Sequence, residues 1–213
     1  MNACPSCGRD VADTFAFCPH CGAAVTTPVE AEERKLVTVL FADVTGSTHL
    51  ADTLDAEVVR DLMAAYFDIA RQEIEARGGT VEKFIGDAVM AVFGVPVAHE
   101  DDPSRAMHAA LAIRRRLAER NATREESPEL QVRVGINSGE VVSTGAHRPG
   151  EVMVTGDAVN VAARVQQAAE PGQILVSARS AAAAPELRYA AARPRAMRGK
   201  TDPVDVTELL DAD

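Results

Sequence analysis

The sequence predicts an α+β protein, a ferredoxin-like (split βαβ) domain with a small zinc ribbon at its N-terminus. Two Cys-x-x-Cys pairs occupy the first 21 residues. From residue 35 the apolar pattern reads strand, helix, hairpin, helix, strand, which is the split βαβ order. The chain has 213 residues, 46% hydrophobic and 25% charged, enough for one globular domain and an appendage. Aromatics are only 4% and Trp is absent, so aliphatic residues and alanine must fill the core.

The ribbon comes first. Cys4-Pro5-Ser6-Cys7 and Cys18-Pro19-His20-Cys21 are each followed by glycine, Gly8 and Gly22. Two thiolates three positions apart grip one ion from a tight turn, and the glycine relieves the backbone after it. Two such knuckles complete a tetrahedral S4 site, which favours one structural Zn²⁺. The alternatives are two disulfides or free thiols, and His20 is a further candidate ligand. The residues between the pairs, ending Phe15-Ala16-Phe17, suit a short hairpin. Only Arg9 is basic there, so nucleic acid is disfavoured and a protein partner for the ribbon stays open. The ribbon is assigned to 1–25, a polar linker containing Pro28 to 26–34, and the main domain to 35–213.

Charge and hydropathy narrow the classes. Net charge is -10, from 22 basic and 32 acidic side chains, which argues against a nucleic-acid-binding face. It does not exclude a nucleotide, since cations and a few placed Arg or Lys reverse the field locally. No apolar run reaches the roughly 18 to 20 residues that span a bilayer, and Met1 to Asp10 lacks a signal-peptide pattern. A cytoplasmic protein with no membrane partner is expected, and a reducing compartment favours metal over disulfides.

In the main domain Lys35 to Phe41 reads as a buried strand ending in the turn Ala42-Asp43-Val44-Thr45-Gly46-Ser47-Thr48. Leu54, Val58, Leu62, Tyr66 and Ile69 recur at helical spacing, and Gly78-Gly79 stops that helix. Thr80 to Ile85 and Ala88 to Phe93 form a hairpin about Gly86-Asp87. The next helix starts with Asp102 as N-cap and buries Ala106, Ala110, Ile113 and Leu117. Leu130 to Ile136 and Glu140 to Ser143 are expected to form a hairpin about Asn137-Ser138-Gly139. A helix from Asp157 to Ala169 and strands at Gln173 to Val176 and Val204 to Leu210 complete the order.

This order brings Asp43, at the end of the first strand, beside Asp87, at the hairpin tip. Two converging carboxylates suit Mg²⁺ or Mn²⁺ with substrate phosphates. The turn after Asp43 offers backbone N–H groups to phosphate, with Gly46, Ser47 and Thr48 leaving the approach open. Each residue also has a plain reading: an Asp in a turn is commonly a cap, and a lysine on a strand commonly faces solvent.

LFADVTGST, EKFIGDAVMAVFG, VRVGINSGEVV and GDAVNVAARV, in that order, resemble class III adenylate and guanylate cyclases from about Lys35 to Leu210. The resemblance implies a metal-dependent adenylate cyclase that converts ATP to 3′,5′-cyclic AMP and pyrophosphate. It implies two Mg²⁺ or Mn²⁺ per active site, held by Asp43, Asp87 and the Val44 carbonyl. Lys83 matches the adenine-recognising lysine, where guanylate-forming members carry Glu. Asn160 and Arg164 match the pair that orients the ribose and stabilises the transition state, and Arg133 and Lys200 match cations for the β- and γ-phosphates. The family's second purine-recognising residue, Asp or Thr, falls here at Met153, which offers no useful hydrogen bond. Thr155 as substitute, or relaxed selectivity toward GTP, follows from that departure. A single-domain chain of this family is implied to homodimerise, sharing its sites between subunits. The competing readings are an idle cyclase-like regulatory domain and a dinucleotide-forming enzyme, the latter lacking its Gly-Gly-Asp-Glu-Phe-like hairpin here.

Overall fold

The computed structural model describes residues 2–4, 6–12, 15, 17–23, 33–123, 128–144, 153–195 and 203–210. The chain divides into two compact units, Met1–Glu32 and Glu33–Asp213. In the first, β1 (Asn2–Ala3) pairs antiparallel with β2 (Asp10–Val11), a small hairpin that encloses the first cysteine knuckle. Cys4, Cys18 and Val11 form its buried centre.

The second unit opens with β3 (Glu33–Val44), longer than the sequence suggests at both ends. Glu33 and Arg34, read as linker, are strand, and so are Asp43 and Val44, read as turn. Then come α1 (Ser47–Thr53), α2 (Ala56–Glu75), β4 (Thr80–Ile85), β5 (Ala88–Phe93), α3 (Asp102–Thr123) and β6 (Val132–Thr144). They are followed by β7 (Met153–Thr155), α4 (Asp157–Gln167), β8 (Ile174–Ser177), α5 (Ala178–Ala182), β9 (Arg193–Arg195) and β10 (Val204–Glu208). The sheet order is β4-β5-β3-β6-β8-β10-β9, with β7 against β6. Its first four strands are all antiparallel, as split βαβ requires. β8 then runs parallel to β6, joined through α4.

Alternation along the strands sorts the two faces. Leu40, Ala42 and Val44 of β3 pack with Ala91, Phe93, Val134 and Ile136 against Tyr66, Ile69 and Ile74 of α2 and Met107, Ile113 and Leu117 of α3. Fully burying such a side chain contributes roughly 1.5–3 kcal/mol, so this layer dominates stability. On the opposite face Val37, Val39, Phe41, Met90 and Val92 pack with Ala158 and Ala162 of α4.

The expected hairpin about Asn137-Ser138-Gly139 is absent: β6 runs unbroken and pairs with β3 from Glu33↔Ser143 to Val44↔Val132. Asn137 and Gly139 serve the α4 face instead, and Ser138 the opposite face. Asn137 Nδ2 donates to Ala158 O at 3.0 Å. Ser138 shares a buried hydroxyl chain with Thr38 and Ser180, and a Cβ on Gly139 would come 2.8 Å from Ala158 Cβ. Small polar residues here let a helix lie close to the strand. The long first helix is also divided, at Leu54-Asp55. The Asp102 carboxylate accepts the His99 N–H at 2.8 Å, so its bond falls before the helix rather than inside its first turn.

Candidate active site and metal centre

In the ribbon the four Sγ atoms lie within 4.8 Å of one another. Cys4–Cys21 and Cys7–Cys18 are each 3.7 Å apart, too far for a bond between sulfurs. That separation is the edge of a tetrahedron with Zn–S bonds near 2.3 Å, about 3.8 Å. Gly8 and Gly22 both have left-handed φ, 70° and 74°, and donate their N–H to the Cys4 and Cys18 carbonyls. The Cys7 backbone N–H lowers the Cys4 thiol to about 6, while Cys7 beside it is raised to about 11, so within this crowded cluster one sulfur ionises first. His20 Nδ1 lies 3.2 Å from Arg9, outside the sulfur cluster.

In the larger unit Asp43 pairs across the ladder with Ala88, so Asp87 is one residue from being its direct opposite. The other neighbour of Asp43 is Arg133 on β6. Asp43 follows Val39 and Phe41 on the α4 face of β3, and is 8% exposed. Its Oδ2 accepts three N–H donors: Arg133 Nε at 2.9 Å, Arg133 Nη2 at 2.7 Å and Gln166 Nε2 at 3.0 Å. Ser47, the first residue of α1, donates its hydroxyl to Asp87 Oδ2. Tyr66, in the buried stripe of α2, donates to Ala42 O at 2.9 Å. Burial pushes the Tyr66 hydroxyl well above its usual range, and both Asp43 and Asp87 add to the rise. A carboxylate at the end of β3 and one at the tip of the adjacent β4–β5 hairpin, the latter with the Ser47 hydroxyl on it, offer an all-oxygen donor set fit for Mg²⁺ or Mn²⁺.

Of the residues singled out in the sequence, the structure joins Arg133 to Asp43 and Ser47 to Asp87, the two pairs adjoining along the β3–β5 ladder. Val44 ends β3 with its side chain in the core, and Gly46 caps α1 at φ 73°. Thr45 spends its N–H on Gln131 O at 2.8 Å, so that backbone donor of the turn is not free for phosphate. Thr48 lies in the first turn of α1. Lys83 lies on β4 opposite Met90, at a bulge that sets Glu82 beside it, and its Nζ is 2.9 Å from Glu82 Oε1. Asn160 is exposed on α4 and Arg164 half-buried. At 100° per residue they project roughly 240° and 200° round the helix from Gln166, away from Asp43. No hydrogen bond or ion pair among the described residues joins Lys83, Asn160 or Arg164 to the two carboxylates. Met153 begins β7 opposite Thr144, and Thr155 ends it opposite Val142. Lys200 lies outside the described residues.

Two residues of the cluster escaped sequence reasoning. Tyr66 reads simply as core. Gln166 had a signal: it continues the Ala158, Ala162 stripe at four-residue spacing, a polar side chain on the buried flank of α4.

Residues 29–206 match the adenylate and guanylate cyclase catalytic domain, and residues 4–25 match a zinc-ribbon domain. The chain is 35% identical over 206 residues to the uncharacterized protein Rv1320c of Mycobacterium tuberculosis, covering 90% of this chain and 35% of that protein. It spans about a third of the length of the curated relatives it matches. Among solved structures it resembles the adenylyl cyclase CyaB from P. aeruginosa, with a TM-score of 0.78 and 29% identity over 86% of this chain and 97% of that one. It also resembles the guanylyl cyclase Cya2, with a TM-score of 0.77 and 29% identity over 84% of this chain and 93% of that one. Among the described residues no helix is long and apolar enough to cross a membrane. The chain belongs to the adenylate and guanylate cyclase catalytic domain family and carries a zinc ribbon at its N-terminus.

Proposed function

We propose that the chain is a metal-dependent adenylate cyclase, forming 3′,5′-cyclic AMP and pyrophosphate from ATP at sites shared across a homodimer. One observation carries this reading: Asp43 at the end of β3 lies opposite Ala88, the residue after Asp87 at the adjoining hairpin tip, with Ser47 bonded to Asp87 and Arg133 to Asp43. Bound divalent ions would supply a lowered pKa for the ribose 3′-hydroxyl and charge neutralisation on the departing pyrophosphate. Asp43 and Asp87 hold those ions, with the Val44 carbonyl as a further ligand. Arg133 leaves Asp43 to hold the β- and γ-phosphates together with Lys200. Asn160 orients the ribose, and Arg164 meets the charge that builds on the α-phosphoryl group, worth a few kcal/mol from one placed cation. No side chain acts as nucleophile.

The dimer reading is supported by the divergence of Asn160 and Arg164 from Asp43 within one chain. It is also supported by Phe84 and Ile85, apolar yet exposed beside the hairpin tip. Lys83 favours adenine, whose N1 accepts its ammonium. A specific observation favours a second reading, acceptance of GTP as well: Glu82 Oε1 lies 2.9 Å from Lys83 Nζ, and by sequence Met153 falls at the family's second purine-recognising position.

Turnover of ATP and GTP side by side with Mn²⁺ tests both readings, with cyclic nucleotide and pyrophosphate measured together. ATP is expected to give the higher kcat/KM, and Asp43→Ala and Asp87→Ala to abolish product. No cyclic product from either nucleotide, with dimers present, would leave an idle cyclase-like domain.

A further inference from the structure

Arg133 and Gln166 both grip Asp43, and both on the same oxygen, Oδ2; Oδ1 accepts from no described side chain. They differ in every other respect. The Arg133 side chain is 36% exposed, long and charged. Gln166 is 6% exposed, neutral, and fixed to a helix packed against the sheet. Its place there depends on Gly135: a Cβ at that position would run into the Gln166 backbone and hold α4 off β6.

From this we infer that Gln166 is the positioning residue of Asp43, anchoring Oδ2 so that Oδ1 faces the divalent cation. The inference rests on the reading of Asp43 as a cation ligand. A guanidinium on the same carboxylate repels an incoming cation, and in the proposed reaction Arg133 is needed at the phosphates. Once Arg133 departs, Gln166 is the donor that remains. An amide suits this task because it orients the carboxylate without adding positive charge beside the ion. Burial suits it too, since a shielded side chain does not exchange its partner for water. Gln166 touches neither ion nor nucleotide and acts only through Asp43.

The test removes the donor and keeps the bulk: Gln166→Met and, as a second shape, Gln166→Leu. Mn²⁺ binding is read from the electron paramagnetic resonance signal of the free ion, with full-length protein and a 3′-deoxy nucleoside triphosphate that cannot cyclise. Turnover against Mn²⁺ concentration is measured in parallel. Loss of a partner that orients a metal ligand is expected to weaken Mn²⁺ binding roughly tenfold or more, with the KM for nucleotide at saturating Mn²⁺ nearly unchanged. Val165→Ala loosens the same helix without touching Asp43, and is expected to leave Mn²⁺ affinity alone. Whichever Gln166 variant melts with the wild type is the one read. Unchanged Mn²⁺ affinity in it overturns the inference, as does an equal loss in Val165→Ala. A wild type that binds Mn²⁺ but forms no cyclic product overturns only the assigned activity; one that binds no Mn²⁺ overturns both.

Discussion

At the scale of single residues, small side chains decide where the charged ones end up. Gly135 faces α4, and its missing Cβ is what lets the Gln166 backbone approach. Gly135→Ala drives a Cβ into the Gln166 backbone, which is no flexible tip that can swing aside. Overpacking of this kind costs typically 1–3 kcal/mol, and the upper end applies here. A loss of about 3 kcal/mol in a domain of this size lowers the melting temperature by roughly 6–12 °C, measurable by calorimetry. The same change should raise the Mn²⁺ requirement, because α4 carries Gln166 away from Asp43. A melting temperature within a degree of wild type would show that α4 does not press on Gly135 in solution.

At the scale of elements, the ribbon and the long strands show how a local pattern and a tertiary one differ in legibility. The ribbon needs only its own turns: two knuckles, each closed by a left-handed glycine, bring four sulfurs within 4.8 Å of one another. Its core of Cys4, Cys18 and Val11 is too small to hold without the ion. The protein is therefore expected to carry one zinc per chain by elemental analysis. Cys4→Ser should lose most of it, and residues 1–25 should become sensitive to protease, while the melting transition of the larger unit stays where it was. Full zinc content in Cys4→Ser would reassign the ligands, with His20 the first candidate. β6 is the opposite case. Asn137-Ser138-Gly139 carries a turn signal, yet the ladder with β3 overrides it, with Asn137 and Gly139 packed under α4 and Ser138 bonded to Thr38 and to Ser180 of α5 on the other face.

At the scale of the molecule, the two halves of the proposed chemistry face different ways. Asp43 and Asp87 sit at one end of the β3–β5 pair, and Asn160 and Arg164 leave α4 from its other flank. A homodimer with twofold symmetry closes this gap by bringing one chain's carboxylates to the partner's helix. Mixing Asp43→Ala with Asn160→Ala chains, each inactive alone, is accordingly expected to restore activity, because one heterodimer site then carries no substitution. With random pairing half the dimers are mixed, and each has one of its two sites intact, so recovery should reach about a quarter of the wild-type rate. No recovery, with mixed dimers confirmed by mass, would mean that each chain builds its site alone.

The sequence by itself determined the ribbon, the split βαβ order, the hairpin carrying Asp87 and the blocks that mark the family. Each rests on local chemistry: cysteine spacing, strand and helix periodicity, and a Gly-Asp tip all act within a few residues of chain. Only the tertiary structure decided that β6 runs straight through its turn residues, that Arg133 and Gln166 converge on one oxygen of Asp43, and that Asn160 and Arg164 turn away from it. Those relations join positions 90 and 123 residues apart, across a ladder or beneath a helix, where side-chain packing selects the partner and local propensity carries no information about it.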